Sequence, residues 1–337
     1  MNLEPTIEAD FISDEPFHLA SGEILSSVKQ HYAIYGELNA DQSNAVLVFH
    51  ALSGSARIAD WWEGIIGAGK ALDTNKNAFI CINYIGSCYG STGAGTVNPK
   101  TGKIYGTEFP LITVSDILQG QKKVLEHLGI KKLKAAIGSS VGGMCALQFP
   151  VDFSDSVEKC IVIGATELSA MGLALNHLQR EALRIEKDVG LARQISMISY
   201  KSPELFNRRF GRNPNRNGEN PRRDFEHRFD IAGYLDYQGE IFKNRFDKET
   251  FKIISKAMDL FELSDSEIQT IKAKIYLVGI STDWLFPAAD VKRLTERLIK
   301  NGINAEYIDF ESPDGHDAFL SDTMQMAEIL QKIQTEF

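Results

Sequence analysis

A chain of 337 residues with 43% hydrophobic residues and a mean hydropathy of −0.17 can bury a sizeable core, and its length predicts one large domain with an insertion, or two closely packed domains. A formal charge of −9 and a pI near 5.4 supply no basic footprint for phosphate backbones, which argues against a general nucleic-acid binder. No apolar run reaches membrane-spanning length, the first ten residues lack the basic and apolar regions of a secretory signal, and Cys81, Cys88, Cys145 and Cys160 are scattered without metal-site spacing; a cytoplasmic protein with no membrane partner, no metal and no disulfide is expected.

Residues Val28 to Leu38 alternate loosely and predict an early antiparallel strand. Asn44 to His50 is mostly apolar, as in a strand buried on both faces of a parallel sheet. The loop His50-Ala51-Leu52-Ser53-Gly54-Ser55 follows, and its glycine lets backbone come close to a ligand; the Leu52 N–H is the candidate for an oxyanion donor. Trp61 to Ile66 predicts a helix packed on the sheet, and Ala78 to Ile82 another buried strand. Asn83 to Pro99 is rich in glycine and small hydroxyl residues but matches neither a P-loop nor GxGxxG, and is expected to be a long surface loop lining a pocket. Pro110 to Ile130 has apolar residues at helical spacing, with Gly129 beyond its end, and predicts a sheet-covering helix; its His127 sits where a helix-end cation belongs, away from any catalytic role.

Leu133 to Ile137 then delivers Gly138-Ser139-Ser140-Val141-Gly142, a Gly-x-Ser-x-Gly pattern in a strand-to-helix setting. A serine on so sharp a turn needs residues without bulk two positions either side, because a Cβ there would collide with backbone. The turn lifts the Ser140 hydroxyl off the sheet edge and aims the Val141 N–H at an oxyanion forming on an attacked carbonyl. Cys160 to Ala165 is the next strand. From about Leu168 to Glu267 no continuous apolar strand occurs; the segments look helical and carry Arg, Asn, Phe and Tyr, as a lid over a site would. The sheet resumes at Ala273–Ile280 and ends at Ala305–Phe310, with a closing helix from Met324. Strands alternating with helices in this rhythm define an α/β fold, a mostly parallel sheet flanked by helices; the expected division is a core domain of 1–166 and 268–337 with a helical lid of 167–267.

A serine nucleophile needs a base, and the base needs a carboxylate to hold its tautomer. Asp283 follows a strand and His316 follows the last one, which completes the chain order Ser, Asp, His of the α/β-hydrolase fold. His50 comes too early in that order, and His18, His31, His177 and His227 lack a strand-end position.

Several further motifs accompany this constellation: His50-Ala-Leu-Ser-Gly54, Trp61-Trp62, Gly86-Ser-Cys-Tyr-Gly-Ser-Thr-Gly93, Gly190-Leu-Ala-Arg193, Arg209-Phe-Gly-Arg212, Tyr234-Leu-Asp-Tyr-Gln-Gly239, Arg245-Phe-Asp247, Asp283-Trp-Leu-Phe-Pro287 and Gly315-His-Asp317. Together, from about residue 30 onward, the chain resembles the homoserine O-acetyltransferases of methionine biosynthesis. The resemblance implies ping-pong transfer from acetyl-CoA, as co-substrate with no permanently bound cofactor, through acyl-Ser140 to the hydroxyl of L-homoserine. It implies the triad Ser140, Asp283 and His316, oxyanion donors Leu52 and Val141, Asp317 for the acceptor ammonium, and Tyr234 with Arg209 or Arg212 for its carboxylate. It also suggests a homodimer. The chain departs from the family pattern at Gly93-Ala-Gly-Thr96, where the family commonly has Gly-Pro-Ser-Ser. A homoserine or serine O-succinyltransferase with the same triad, a serine esterase, and a ligand receptor with little turnover are the competing readings.

Overall fold

The computed structural model describes residues 3–216 and 218–335. Eight strands form the central sheet: β1 (Ile7–Ser13), β2 (Val28–Tyr35), β3 (Ala45–Phe49), β4 (Ala78–Ile82), β5 (Ala135–Ser139), β6 (Lys159–Ile163), β7 (Lys274–Ile280) and β8 (Ala305–Phe310). Their spatial order is β1-β2-β4-β3-β5-β6-β7-β8. β2 runs antiparallel to both β1 and β4, and every pair from β4 to β8 is parallel. The apolar runs have a direct cause. Along β3, Ala45, Leu47 and Phe49 enter one buried cluster while Val46 and Val48 enter the cluster on the opposite face.

Helices cover both faces. α1 (Val114–His127) begins in a capping box between Thr113 and Asp116, and α2 (Val141–Asp152) starts directly after Ser140. Between β6 and β7 come α3 (Ala170–Ile185), α4 (Gly190–Tyr200), α5 (Pro203–Arg209), α6 (Asp230–Lys243) and α7 (Lys248–Asp259), followed by a single helical turn, Asp265–Ile268. α8 (Ala288–Lys300) joins β7 to β8, and α9 (Thr323–Thr335) closes the chain. Among the described residues no helix is long and apolar enough to cross a membrane.

Three expectations need correction. The helix predicted around Trp61 is a single turn, Ala59–Trp62, because the following glycine-rich chain pairs Ile66–Gly67 with Leu72–Asp73 as a small ribbon. β1 has no counterpart in the sequence reading; as an edge strand it alternates between exposed and half-buried residues and carries little apolar signal. The loop after β4, expected as a long surface loop lining a pocket, borders a cleft through Tyr89 but is more enclosed than a surface loop. Ser87, Ser91, Thr92 and Ala94 are buried, and it folds onto β2 through Thr92 N–H to the Lys29 carbonyl and Lys29 N–H to Thr92 Oγ1, both 2.8 Å.

The turn from β5 to α2 is the tightest feature of the sheet. Ser140 has φ +56° and ψ −128°, a conformation that L residues rarely adopt. A Cβ on Gly138 would lie 1.9 Å from the Gly142 carbonyl oxygen, and one on Gly142 would lie 2.4 Å from the Phe49 carbonyl oxygen. Backbone rather than a flexible side chain is the obstacle in both cases. Gly138→Ala is therefore expected to destabilise the fold by about 3 kcal/mol or more, read as a lower urea midpoint; an unchanged midpoint would contradict this packing.

Candidate active site

The strained turn is held by β6 on its outer side. Ser140 N–H donates to the Ile163 carbonyl at 3.0 Å, and the Ser140 carbonyl accepts from Gly143 and Met144 N–H at 2.8 and 3.1 Å. Because Val141 is the first residue of α2, its N–H has no intrahelical acceptor. Immediately past β6, Gly164 adopts φ +52°, and a Cβ there would be 3.4 Å from Asp283 Oδ2 and 3.6 Å from His316 Nδ1. The serine turn and an Asp–His pair thus meet across Ile163 and Gly164 at the carboxyl end of β6.

That pair is fully enclosed. His316 Nδ1 lies 2.6 Å from Asp283 Oδ2, with side-chain exposures of 2% and 0%. The other carboxylate oxygen, Oδ1, accepts from the Leu285 and Phe286 N–H groups at 2.9 Å each, so the turn after β7 holds Asp283 through its own backbone. The imidazole is packed among Tyr200, Phe286 and Phe319, with ring centroids 5.7, 5.3 and 5.5 Å away. Its second nitrogen, Nε2, is buried and makes no hydrogen bond among the described residues. Burial pushes the imidazole down, but the charge and hydrogen bond of Asp283, reinforced by Asp317, outweigh burial and leave it above its ordinary value, with Lys201 opposing.

The helical insertion reaches into this arrangement through Lys201 and Ser202, the junction between α4 and α5. The Lys201 carbonyl accepts from Trp284 Nε1 at 3.1 Å, and Ser202 Oγ donates to the Pro313 carbonyl. A Cβ on Gly315 would be 2.5 Å from Ser202 N. Lys201 Nζ is 3.0 Å from Asp317 Oδ2, with only 14% and 15% of the two side chains exposed. Asp317 thus already carries a cationic partner. Sequence reasoning missed Lys201 and Tyr200; the Ser202-Pro203 helix start marks the junction, but nothing local marks its partner.

The remaining candidates separate. Arg209 lies over the Tyr234 ring at 4.9 Å, and both line a cleft of ≈ 330 Å³ on the insertion. Burial pushes the Tyr234 phenol up, Asp317 acts in the same direction, and Arg209 and Arg193 oppose, so Tyr234 shares its surroundings with Asp317 and Arg209. Arg212 stacks instead on Phe229 at 5.1 Å. On the other side, Ala51, Ser53, Gly54, Trp61, Tyr89 and Arg245 border a cleft of ≈ 380 Å³ against the Leu52 loop. Trp61 Nε1 donates to the Ser55 carbonyl at 3.0 Å, and Arg245 Nη1 donates to the Ser53 carbonyl at 2.9 Å, which pins the second half of that loop.

The eight-stranded sheet in this order, with a strained serine after β5, an acid after β7 and a histidine after β8, defines an enzyme of the α/β-hydrolase class. The sequence family described as alpha/beta hydrolase fold matches residues 44–323. Among curated proteins, the homoserine O-acetyltransferase of Moorella thermoacetica is 38% identical, with 95% of this chain and 93% of that one aligned. That of Carboxydothermus hydrogenoformans is 36% identical over 96% and 94%. The chain belongs to the homoserine O-acetyltransferase family. Solved structures share its fold: esterase E22, at TM-score 0.88 and 23% identity over 97% of this chain and 99% of that one, and a homoserine O-acetyltransferase from Bacillus anthracis, at 0.84 and 22% over 98% of each.

A base that must be neutral to accept a proton works only above its own pKa. With His316 held above its ordinary 6.5, the rate of enzyme acylation should rise with pH through an inflection above 6.5 and be lost below it. Asp283→Asn removes the two largest influences that raise it and leaves burial opposed by Asp317 alone, so the inflection should move down while the plateau falls roughly 10⁴-fold. A pH–rate profile of both proteins checks this; an inflection that stays in place would show that His316 is not the titrating base.

Proposed function

We propose that the protein transfers an acetyl group from acetyl-CoA to the side-chain hydroxyl of L-homoserine by a ping-pong mechanism. The observation that carries this reading is the enclosed Asp283–His316 pair, its buried Nε2 unengaged, beside the strained Ser140 turn. His316 Nε2 takes the Ser140 proton as Oγ attacks the thioester carbon. Asp283 keeps the Nδ1–H tautomer and stabilises the imidazolium that forms. The N–H groups of Leu52 and Val141 hold the tetrahedral oxyanion. Collapse breaks the C–S bond, and the imidazolium returns its proton to the departing thiolate. In the second half, His316 deprotonates the homoserine hydroxyl, which attacks acyl-Ser140, and the proton passes back to Oγ as the ester leaves.

Asp317, directly after the base, suits the acceptor ammonium, with Lys201 occupying one carboxylate oxygen. Arg209 and Tyr234 suit its carboxylate, and Arg209 fits better than Arg212 because it shares the surroundings of Tyr234. The helical segment 167–267 acts as the lid that keeps water from the acyl-enzyme. The cytoplasm, a homodimer and a place in methionine biosynthesis complete the proposal; they rest on the family.

The test is CoA release from acetyl-CoA and succinyl-CoA in the presence of L-homoserine or L-serine. Acetyl-CoA with homoserine should be preferred, and Ser140→Ala should lower kcat by roughly 10⁴–10⁶-fold. Preference for succinyl-CoA or serine would keep the triad and reassign the substrates. CoA release indifferent to either amino acid would leave an esterase.

A further inference from the structure

His50 stands outside the Ser–Asp–His order, yet its ring is fully buried directly behind the Leu52 loop. It stacks on Tyr84 with ring centroids 3.8 Å apart and 17° between planes, and the Tyr84 hydroxyl donates to the His50 carbonyl. Its Nδ1 lies 2.8 Å from the Ala51 carbonyl oxygen. A carbonyl only accepts, so Nδ1 carries the proton. Burial pushes the ring down to about 4, the Ala51 hydrogen bond only partly opposing, so at neutral pH the imidazole is uncharged and Nε2 is a bare lone pair. That Nε2 is buried with no partner among the described residues. A buried acceptor left unpaired costs stability that a phenylalanine or leucine would not. What the histidine supplies in return is one donor, at the δ position, in one tautomer.

That donor acts on a particular peptide. The Ala51 carbonyl and the Leu52 N–H belong to the same planar trans unit, in which C=O and N–H point in opposite directions. The Ala51 oxygen accepts from His50 Nδ1 and also from Gly54 N–H at 2.9 Å. Two donors on one side of the plane fix the direction of the N–H on the other. The loop is built around this contact, since a Cβ on Gly54 would lie 2.9 Å from His50 Cβ and 3.3 Å from the Ala51 oxygen.

We propose that His50 is a positioning residue that sets the direction of the Leu52 N–H in the oxyanion hole, through the Nδ1–H hydrogen bond to the Ala51 carbonyl. This rests on the reading of Leu52 as an oxyanion donor and of Ser140 as the nucleophile. Its signature follows from where such a donor acts. It stabilises the tetrahedral state rather than the bound ester, so its misalignment lowers the acylation rate and leaves ground-state binding unchanged.

The experiment compares His50→Asn, His50→Gln and His50→Leu with the wild-type chain. The burst of p-nitrophenol from p-nitrophenyl acetate reads acylation alone and needs neither CoA nor an amino acid. Inhibition by a trifluoromethyl ketone reads affinity for a tetrahedral adduct. Asn can place an amide N–H near the Nδ1 position, whereas Gln reaches toward Nε2. His50→Leu and His50→Gln should slow the burst roughly 10–100-fold, with a matching loss of ketone affinity and an ester dissociation constant, read from the concentration dependence of the burst rate, within about twofold of wild type. His50→Asn should recover most of the rate. A wild-type burst in the Leu or Gln variant overturns the assignment, as does an Asn variant that folds normally by circular dichroism but fails as badly as the Leu variant. A Ser140→Ala control that still bursts would strike the nucleophile reading itself, and the His50 assignment with it; a silent control with a fully active Leu variant removes the His50 assignment alone.

Discussion

The structure depends on a contact between backbones. At the turn after β5, the missing side chains of Gly138 and Gly142 let the start of α2 press against the end of β3, where a Gly142 Cβ would fall 2.4 Å from the Phe49 oxygen and 2.9 Å from the His50 oxygen. Gly143 approaches as closely on the other side, with its hypothetical Cβ 2.6 Å from that of Ala165. One turn is thus wedged between the carboxyl ends of β3 and β6. The same wedge that forces Ser140 to φ +56° brings the Leu52 loop and the Asp–His pair to either side of it. Strain at Ser140 and the convergence of these groups beside it have one cause, and neighbours on both strands keep the strained residue from relaxing.

Burial sets the second constraint. A carboxylate with no exposed surface is tolerable only when its oxygens are occupied, and Asp283 meets this with two backbone N–H groups on Oδ1 and the imidazole on Oδ2. The two buried histidines of the site resolve opposite ways. His50 faces carbonyls and aromatic rings, so desolvation prevails and it stays neutral; His316 faces a carboxylate, which outweighs a comparable enclosure and raises its proton affinity. Position relative to one charge, rather than depth of burial, separates His50 from His316.

The same distinction explains what could be read in the chain. Ser140 and Asp283 were legible because each follows a strand buried on both faces, which announces itself as a continuous apolar run. His316 was legible from its place after the last strand; β8 is only half-buried, yet it begins and ends where the pattern places it. β1 was not legible, since its residues are exposed or half-buried throughout and carry little apolar signal. The loop after β4 reads as a surface loop by composition, but Ser91 and Thr92 are buried because they satisfy backbone groups of β2, a pairing more than fifty residues away in sequence. Lys201 lies equally out of reach. Its partners Trp284 and Asp317 are supplied by turns after β7 and β8, and no local spacing encodes them.

Those long-range contacts change what the helical insertion is. A cover that merely rested on the sheet would touch the site at its rim, whereas Lys201 and Ser202 hold the turn bearing Asp283 through Trp284 and the turn bearing His316 through Pro313 and Gly315. The Lys201–Asp317 ion pair adds a charge constraint, because withdrawing the lysine would leave a largely buried carboxylate unpaired beside His316. The orientation of His316 therefore depends on residues inserted between β6 and β7 as much as on the strands that deliver it. Core and insertion form one framework: the core brings Ser140 and the Asp–His pair to a common edge, and the insertion fixes the turns on which Asp283 and His316 are carried.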